Sequence, residues 1–294
     1  MTRWTAAQLP DMTGRTVVVT GASGGIGLVT ARELARVGAR VVLAVRSVDK
    51  GEKAASDMAG RTEVRQLDVA SLASVRAFAA GWTGDLDILI NNAGIMQVPL
   101  SRTADGFESQ AATNHFGPFA LTALLLPHIT DRIVTVSSQL HRRGHVRLDD
   151  LNWEKRRYND LGAYADSKLD VLLFSLELQR RLTAAGSPIR SLVAHPGIAA
   201  TNLVAHVGGL PGIANRVMGL LSNDAEHGAL PTLYAATQDI PGNSYVGPNG
   251  LGSVRGYPEV RLPGAKARDA DIAAQLWELT SRLTGIDGGP RTAA

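Results

Sequence analysis

The stretch that decides the fold is Thr16–Gly27, which reads TVVVTGASGGIG. A β-branched run is followed there by a glycine-rich turn and by the helix-like segment Leu28–Val37, the order expected of a strand, a turn and a helix. Glycine allows φ > 0 and a close backbone approach, and a helix N-terminus offers unpaired N–H groups to a pyrophosphate. The stretch therefore predicts a dinucleotide-binding turn, with a plain glycine-rich turn as the alternative. Two spacings fit its glycines, namely Gly21, Gly25 and Gly27, or Gly21, Gly24 and Gly27.

Apolar runs and helix-like segments alternate along the rest of the chain. Strands are predicted near residues 16, 40, 62, 86, 132 and 189, with helices between them near residues 26, 49, 72, 107 and 163. A helix over 226–237 and a short strand over Ser244–Val246 follow. This alternation predicts an α/β fold, a single Rossmann-type doubly wound parallel sheet flanked by helices.

Length and composition favour one domain. The chain has 294 residues, of which 45% are hydrophobic, and this is enough for one large α/β core. We expect that domain to span residues 13–286. Residues 1–12 and 287–294 are predicted to be flexible tails, because they lie outside the alternating pattern.

Composition also argues against several classes of function. The formal net charge is only +3 and no aromatic-rich basic stripe is present, so nucleic-acid binding is not expected. The absence of cysteine excludes disulfides and thiol nucleophiles, and the seven histidines lack metal-ligand spacing. No run of about 20 apolar residues occurs, so we expect no membrane span and a cytoplasmic location.

Tyr164 and Lys168 lie four residues apart in a strongly helical segment, so both side chains rise from one helix face. A cation close to a phenol stabilises the phenolate and lowers the tyrosine pKa toward the range where proton transfer is efficient. Tyr164 is therefore a candidate acid/base. The alternative is a packed tyrosine beside a solvated lysine, because the pattern is short and common.

Polar residues gather where predicted strands end. Asn91-Asn-Ala-Gly94 follows one apolar run, and Ser137-Ser138 follows another. In an open parallel sheet, ligands bind at the carboxyl ends of the strands. Ordinary turn and capping roles are the alternatives for these residues.

Five short motifs in this order resemble the short-chain dehydrogenase/reductase family. They are TGASGGIG at residues 20–27, NNAG at 91–94, Ser138, YADSK at 164–168 and HPGIAAT at 195–201. The resemblance runs from Thr13 to Thr201 and more loosely to Ile286. NHFG at 114–117 and DDLNWE at 149–154 are most similar to the retinol-dehydrogenase-like branch.

The resemblance implies an enzyme that transfers hydride between a nicotinamide cofactor and a carbonyl or alcohol group. Tyr164 is expected to act as acid/base and Ser138 to hold the carbonyl oxygen. Lys168 is expected to lower the Tyr164 pKa and to bond the nicotinamide ribose, and Asn114 to belong to a water relay that reaches Lys168. Ser138 is preferred to Ser137 because the family's serine is the second of such a pair, and adjacent strand side chains point to opposite faces.

The end of the second strand bears on the choice of cofactor. Arg46 offers a planar cation suited to a 2′-phosphate, and Val45 stands where relatives that use NAD often carry aspartate. The sequence therefore predicts NADP(H), with NAD(H) as the alternative and Ser47 as a further hydroxyl donor. Gly24 departs from the pattern, because many NADP-dependent relatives carry a second basic residue there.

The resemblance also assigns contacts with the other parts of the cofactor. Asp68 is the expected acceptor from the adenine amino group, with a helix N-cap as the alternative. We interpret His195 as a strand-end packing residue. The remaining predicted cofactor-binding residues are Gly21, Ser23, Gly25, Ile26, Gly27, Val69, Asn91, Ala93, Gly94, Tyr164, Lys168, Pro196, Gly197, Ile198 and Thr201.

Pro118 lies four residues after Asn114 and has no N–H, so in a helix it cannot bond the Asn114 carbonyl. We hypothesise that this freed carbonyl holds the relay water. The alternative is that the helix breaks there and Pro118 begins a new one.

Thr201–Ser222 mixes apolar residues with glycines and predicts a mobile flap over the nicotinamide end. We expect a small lipophilic ketone, aldehyde or alcohol as substrate, and the sequence does not separate retinoids or steroids from other apolar carbonyls. Met96, Leu140 and Trp153 are candidate pocket residues, although apolar side chains at helical spacing more often form core or subunit contacts.

Two other functions stay open. One is an NAD(P)-binding sensor without turnover, which the intact Ser138, Tyr164 and Lys168 disfavour. The other is a sugar-nucleotide epimerase or dehydratase, which the second glycine spacing allows and NNAG disfavours. A homodimer or homotetramer is expected, because relatives often pair through the helices near Asn114 and Tyr164.

Overall fold

The computed structural model describes residues 3–197 and 224–289, in which strands and helices alternate as predicted. The first elements are β1 (Thr16–Thr20), α1 (Gly25–Arg36), β2 (Arg40–Val45), α2 (Val48–Ser56), β3 (Arg61–Gln66), α3 (Leu72–Ala80) and β4 (Leu86–Asn91). They are followed by α4 (Ser109–Ala111), a π-helical turn (Ala112–Phe116), α5 (Gly117–Leu125), β5 (Ile129–Val136), α6 (Asp160–Ala184) and β6 (Arg190–Ala194). After the undescribed segment come α7 (Ala225–Thr237), β7 (Tyr245–Pro248), β8 (Pro258–Arg261) and α8 (Ala270–Thr284). Short 3-10 helices span Ala6–Gln8, Leu126–His128, Gln139–Arg143, Leu251–Ser253 and Ala265–Arg268.

The strands form one sheet in the order β3-β2-β1-β4-β5-β6-β7-β8. The first seven strands in this order are parallel, which confirms the predicted Rossmann-type doubly wound sheet. β8 was not predicted, and it pairs with β7 in the antiparallel direction. The connection over 249–257 is too short for the helical crossover that a parallel pair requires.

Alternating side chains distribute the core over both faces of the sheet. Val17 and Val19 of β1 pack with α1 and α7, whereas Val18 packs on the opposite face with α3, α5, α6 and α8. All three valines are fully buried. A run of consecutive apolar residues in a strand therefore indicates a sheet that is covered by helices on both faces.

The N-terminal segment corrects one prediction. Residues 3–12 were expected to be part of a flexible tail, but Trp4 and Met12 are buried in the core. The Trp4 ring meets the Tyr234 ring of α7 edge-on with centroids 5.3 Å apart, and the Met12 N–H donates to the Val37 carbonyl at 2.7 Å. Position at the terminus, outside the alternating pattern, suggested a tail, and the tertiary contact of one tryptophan overrides it.

The predicted C-terminal tail begins later than residue 287. Gly288 is buried, and a Cβ added there would lie 2.9 Å from Trp277 and 3.0 Å from Phe119. Residues 290–294 lie outside the described residues. The close contact therefore extends the folded part of the chain at least to Gly288.

Among the described residues, no helix is both long and apolar enough to cross a membrane. In the same part of the chain, no group of three or more histidine, aspartate or glutamate side chains is arranged to hold a metal ion.

Candidate active site

The glycine turn between β1 and α1 uses one of the two predicted spacings. Gly21 and Gly25 have φ of 68° and 56°, values that side chains with a Cβ rarely adopt. A Cβ on Gly27 would lie 2.6 Å from the Gly21 carbonyl oxygen, so the helix can approach the turn only with glycine there. Gly24 has φ of −172°, which any residue adopts. The structure thus requires glycine at Gly21, Gly25 and Gly27, and this favours the first spacing.

Thr20 and Asn92 brace this turn against the end of β4. The Thr20 hydroxyl oxygen accepts from the Asn92 N–H at 3.0 Å and from the Ala93 N–H at 2.9 Å. The Asn92 side-chain amide donates to the Thr20 carbonyl at 2.9 Å. Sequence reasoning missed both positioning roles, although Asn92 stood inside the NNAG motif. A polar residue at each of two adjacent strand ends was the available signal.

Asn91 ends β4 and is buried. Its side-chain N–H donates to the Thr122 hydroxyl at 2.9 Å, and its Oδ1 is a buried acceptor without a partner in the part of the chain that the structure describes. Asn91 and Ala93, both predicted to bind the cofactor, therefore lie at the sheet edge beside the glycine turn.

Asn114 connects the π-helical turn to the backbone after β4. Its Oδ1 accepts from the Ile95 N–H at 2.9 Å, and its Nδ2 donates to the Ile95 carbonyl at 3.0 Å and to the Ser167 hydroxyl at 2.9 Å. A Cβ on Gly94 would lie 3.1 Å from the Asn114 Oδ1 and 3.3 Å from the Lys168 Nζ. Asn114 and Lys168 thus meet at Gly94, which has room only for a glycine.

The helix around Asn114 does not break at Pro118. Residues on both sides of the turn keep right-handed helical dihedral angles, and the Gly117 N–H donates to the Ala112 carbonyl five residues earlier. The wider π-helical turn absorbs the irregularity just before the proline, which lies in the first turn of α5. The simple-break alternative is therefore excluded. A freed Asn114 carbonyl that holds a relay water stays a prediction.

Lys168 extends inward from α6 and is 4% exposed. Its Nζ donates to the Val136 carbonyl at 2.9 Å and lies 5.8 Å from the centre of the Tyr164 ring. Burial disfavours the charged form and lowers the pKa of Lys168 to about 8. The lysine is therefore not the solvated charge that the alternative interpretation required.

Tyr164 is 5% exposed, and its environment corrects an expectation. We expected Lys168 to lower the tyrosine pKa. Instead, burial raises the pKa of Tyr164 to about 12, and a hydrogen bond with Ser138 acts in the opposite direction. The sequence shows which groups are neighbours, but it does not show how completely the fold removes both from water. At neutral pH Tyr164 keeps its proton and can donate it.

Ser138 and Ser137 point in different directions, as strand alternation predicts. The Ser138 Oγ accepts from the Leu140 N–H at 3.2 Å and caps the 3-10 helix Gln139–Arg143, and its hydroxyl group also bonds Tyr164. The Ser137 Oγ instead donates to the Lys168 carbonyl at 2.8 Å. Ser138 is thus the serine beside the tyrosine hydroxyl.

Arg46 and Ser47 follow β2 at the same edge of the sheet. Arg46 is exposed and makes no hydrogen bond or ion pair with the described residues, so its guanidinium is available to a ligand. Ser47 caps α2, where its Oγ accepts from the Lys50 N–H at 3.5 Å. A hydroxyl in this capping role can still donate its own hydrogen.

Asp68 and Val69 follow β3. The Asp68 Oδ1 accepts from the Ala70 N–H at 3.0 Å, and Ser71, not Asp68, is the N-cap of α3. The capping alternative for Asp68 is therefore wrong. Val69 is buried, and its carbonyl oxygen would lie 1.9 Å from a Cβ on Gly117.

The segment after β6 is described only as far as Gly197. His195 is fully buried and stacks on the Tyr245 ring with centroids 5.0 Å apart, which agrees with the predicted packing role. Its Nδ1 accepts from the Gly197 N–H at 3.3 Å. Pro196 and Gly197 thus lie at the sheet edge. Ile198, Thr201 and the predicted flap over 201–222 lie outside the described residues.

The other predicted contact residues have mixed surroundings. Ser23 and Ile26 lie half-buried in the glycine turn and the first turn of α1. Trp153 is buried beneath the Arg156 guanidinium, 3.6 Å from the ring centre, so the packing alternative describes it better than a pocket role. Leu140 lines a cavity of about 560 Å³ beside Ser138. Met96 is half-buried.

Comparison with known proteins places this geometry in a family. A sequence model described as short chain dehydrogenase matches residues 15–208. The chain belongs to this family. The match covers most of the sheet and all of the residues Asn114, Ser138, Tyr164 and Lys168.

Relatives of this short-chain dehydrogenase match nearly its whole length. Retinol dehydrogenase 13 of Homo sapiens is 41% identical over 296 residues, which cover 93% of this chain and 86% of the relative. Polyprenol dehydrogenase of Mus musculus is 40% identical over 298 residues, which cover 96% of this chain and 87% of the relative. A solved structure of a protein from Mycobacterium paratuberculosis is 54% identical, has a TM-score of 0.88, and covers 98% of this chain and 100% of that one.

These matches confirm the predicted resemblance, including the retinol-dehydrogenase-like branch. The short-chain dehydrogenase is accordingly an NAD(P)-dependent oxidoreductase that acts on CH–OH or C=O groups.

Proposed function

We propose that this enzyme transfers hydride between NADP(H) and the carbonyl or alcohol group of a small lipophilic substrate, with Tyr164 as acid/base. The observation that carries the proposal is the convergence of Ser138, Tyr164, Lys168 and Asn114 at one buried edge of the sheet. These polar side chains come from separate elements before and within α6, and such a buried polar cluster is seldom needed for stability alone.

The residues at the sheet edge fit a nicotinamide dinucleotide. The required glycines at Gly21, Gly25 and Gly27 leave the backbone of the turn open to a pyrophosphate at the start of α1. The Asn91 Oδ1 is a buried acceptor that lacks a partner within residues 3–197 and 224–289. When bound, the cofactor supplies or accepts the hydride.

Tyr164 and Ser138 would act on the substrate oxygen. During carbonyl reduction the Tyr164 hydroxyl donates its proton to the oxygen that gains negative charge, and the Ser138 hydroxyl donates a hydrogen bond to the same oxygen. Alcohol oxidation reverses both steps. The burial of Tyr164 keeps the phenol protonated at neutral pH, which suits the reductive direction.

Lys168 would stabilise the phenolate that remains after proton transfer. Its ammonium is held on the Val136 carbonyl near the tyrosine ring, in surroundings that screen charge poorly. The phenolate is the stronger base, so Lys168 passes a proton to it, and we also propose that a water on the Asn114 carbonyl returns a proton from solvent to this lysine. The side-chain bonds of Asn114 to Ile95 and Ser167 hold the π-helical turn next to the Lys168 Nζ.

The preference for NADP(H) over NAD(H) rests on Arg46. Its exposed guanidinium has no partner among the described residues. The last residue of β2 is Val45, so this position carries no carboxylate. A guanidinium without an ion-pair partner among the described residues can attract and hydrogen-bond a negatively charged 2′-phosphate. Arg46 therefore favours the phosphorylated cofactor.

The lipophilic substrate class is supported by the relatives. Two of them are named for the oxidation of retinol and of polyprenol, alcohols with long apolar chains. We further propose a cytoplasmic homodimer or homotetramer. Light scattering of the purified protein would measure its mass, and a single 31.0 kDa species would contradict the assembly.

A panel of apolar ketones, aldehydes and alcohols, assayed with NADPH and with NADH, tests the function. We expect turnover with a higher kcat/KM for NADPH, and Arg46→Asp should reverse that preference. Tyr164→Phe should lower kcat at least about 100-fold by removing the proton donor. Tyr234→Phe is the control, because it removes a phenol hydroxyl near Trp4, on α7 and away from the site. Undiminished turnover by Tyr164→Phe would refute the acid/base role.

A further inference from the structure

His141 lies three residues after Ser138, in the 3-10 helix Gln139–Arg143, and is 1% exposed. None of the proposed catalytic steps uses it. Its ring nevertheless contacts the Ser138 backbone, so it is a buried titratable side chain directly behind the proposed catalytic serine.

Two hydrogen bonds fix the state of this ring. The Nδ1 lies 2.7 Å from the Ser138 carbonyl oxygen, and a carbonyl can only accept, so the Nδ1 carries the hydrogen. The Nε2 accepts from the Gly264 N–H at 2.9 Å, so it carries none. The two partners together specify a neutral imidazole with its hydrogen on Nδ1.

The surroundings oppose protonation of His141. A hydrogen on Nε2 would face the hydrogen of the Gly264 N–H, and no carboxylate of the described residues forms a hydrogen bond or ion pair with the ring. The Tyr245 ring meets it edge-on at 5.5 Å between centroids, and Arg142 is the charged side chain that acts on it. Burial is the main cause that lowers the pKa of His141, and the Arg142 charge acts in the same direction.

The Ser138 carbonyl accepts a second bond from the same residue. The backbone N–H of His141 donates to it at 3.1 Å, so both the backbone and the side chain of His141 hold this one oxygen. The far side of the ring is anchored on Gly264, which follows β8. His141 therefore links the backbone of the serine to a segment of the chain more than 100 residues away.

We propose that His141 is the positioning residue for Ser138. Held by Gly264, its neutral ring fixes the Ser138 carbonyl and so keeps the Ser138 hydroxyl directed at Tyr164 and the substrate oxygen. The inference rests on the proposed function, because it assigns that substrate contact to Ser138. His141 itself touches neither substrate nor cofactor in this scheme.

Two substitutions test the hydrogen bonds of the two ring nitrogens of His141 separately. In His141→Asn the side-chain amide nitrogen takes the place of Nδ1 and can still donate to Ser138, but it does not reach Gly264. In His141→Gln the amide oxygen takes the place of Nε2 and can still accept from Gly264, but no donor faces Ser138. Tyr245→Phe is the matched control, because it removes a buried hydroxyl that has no hydrogen-bond partner among the described residues and leaves the ring contact.

The variants are assayed for carbonyl reduction at saturating NADPH. We expect His141→Gln to lower kcat about tenfold or more, as a misplaced hydroxyl would, with the KM for NADPH unchanged. His141→Asn should stay within about threefold of the natural enzyme, and so should Tyr245→Phe. Equal losses in the Asn and Gln variants, or none in either, would overturn the positioning role.

A second measurement needs no turnover, so it remains informative if the proposed function fails. Nitrogen-15 NMR of histidine-labelled protein reports the hydrogen position on each ring. The His141 signals should show the Nδ1–H form throughout about pH 6 to 8. A signal from the Nε2–H form, or titration near the ordinary histidine pKa, would contradict the proposal whatever the activity.

Discussion

Lys168 keeps an amino group inside the protein, where it donates to the backbone carbonyl of Val136. A protein that only needed stability would place a nonpolar side chain there, because burying an ammonium group costs free energy. The cost is tolerated at this residue because the charge lies beside the Tyr164 ring. The same burial raises the pKa of Tyr164 and lowers that of Lys168. Near pH 8 the tyrosine is therefore neutral, while the lysine ammonium holds its proton only weakly.

Lys168→Met should be more stable than the natural protein and almost inactive. The pKa of Lys168 falls from 10.5 to about 8 on folding, which corresponds to about 3 kcal/mol of unfavourable free energy when the group is charged. Below pH 8 both states of the natural protein are protonated, so the variant has its full advantage. Between pH 8 and 10.5 only the unfolded lysine stays charged, so the natural protein gains stability and the difference disappears.

Urea unfolding of both proteins across this pH range measures the difference. The comparison cancels other alkaline effects, including the tyrosine that deprotonates at high pH. A difference that stays constant from pH 7 to about 10.5 would show that Lys168 does not have the lowered pKa.

The elements of the fold were largely predictable, and the links between them were not. Hydrophobic runs marked the central parallel strands, because a strand buried on both faces must be apolar throughout. The edge strand β3 is instead polar and only partly buried. The sequence did not predict the brace of Thr20 and Asn92, since its hydrogen bonds join strand ends separated by about 70 residues of sequence. β8 and the π-helical turn were not predicted either, because a short edge strand and one wide helical turn hardly change the periodicity of hydrophobic residues.

The Thr20 brace gives a test at the scale of elements. Thr20→Val preserves the shape of the side chain but removes the hydroxyl that accepts from the Asn92 and Ala93 N–H groups. The Asn92 N–H keeps its bond to the Ile90 carbonyl. We expect a loss of about 1 to 3 kcal/mol in the free energy of unfolding, together with weaker cofactor binding.

Thr30→Val is the matched control for this substitution. Thr30 lies on α1 and is fully buried, and no described residue forms a hydrogen bond with its hydroxyl. Its replacement should leave stability unchanged or raise it. Calorimetry and cofactor titration on both variants give the comparison, and equal effects of the two substitutions would argue against the brace.

At the scale of the whole molecule, the sequence predicted one sheet and one family but misjudged where the folded part begins. Motifs identify a site because its chemistry restricts residue types, as at Tyr164 and Lys168. The attachment of the N-terminal segment depends on one tryptophan that fits against α7, and no periodic pattern records such a contact. The sequence did not reveal the protonation state of Tyr164 for a related reason, since burial is a property of the assembled fold.

Trp4→Ala tests whether the N-terminal segment belongs to the cooperative unit. Trp4 is 7% exposed, and its truncation should lower the free energy of unfolding by about 3 kcal/mol. Leu251→Ala is the control, because Leu251 is 99% exposed and should change stability by less than about 0.5 kcal/mol. Urea midpoints of both variants decide the matter, and an unchanged midpoint for Trp4→Ala would mean that the segment is dispensable for stability.

Helix α6 carries Tyr164, Ser167 and Lys168 on a single 25-residue rod. The distance from phenol to amine is therefore set by helical pitch, and the loop over 144–159 that leads into the rod has no part in it. Insertions or deletions in that loop would therefore leave this spacing intact, and the chain can change its length there without moving the phenol relative to the amine.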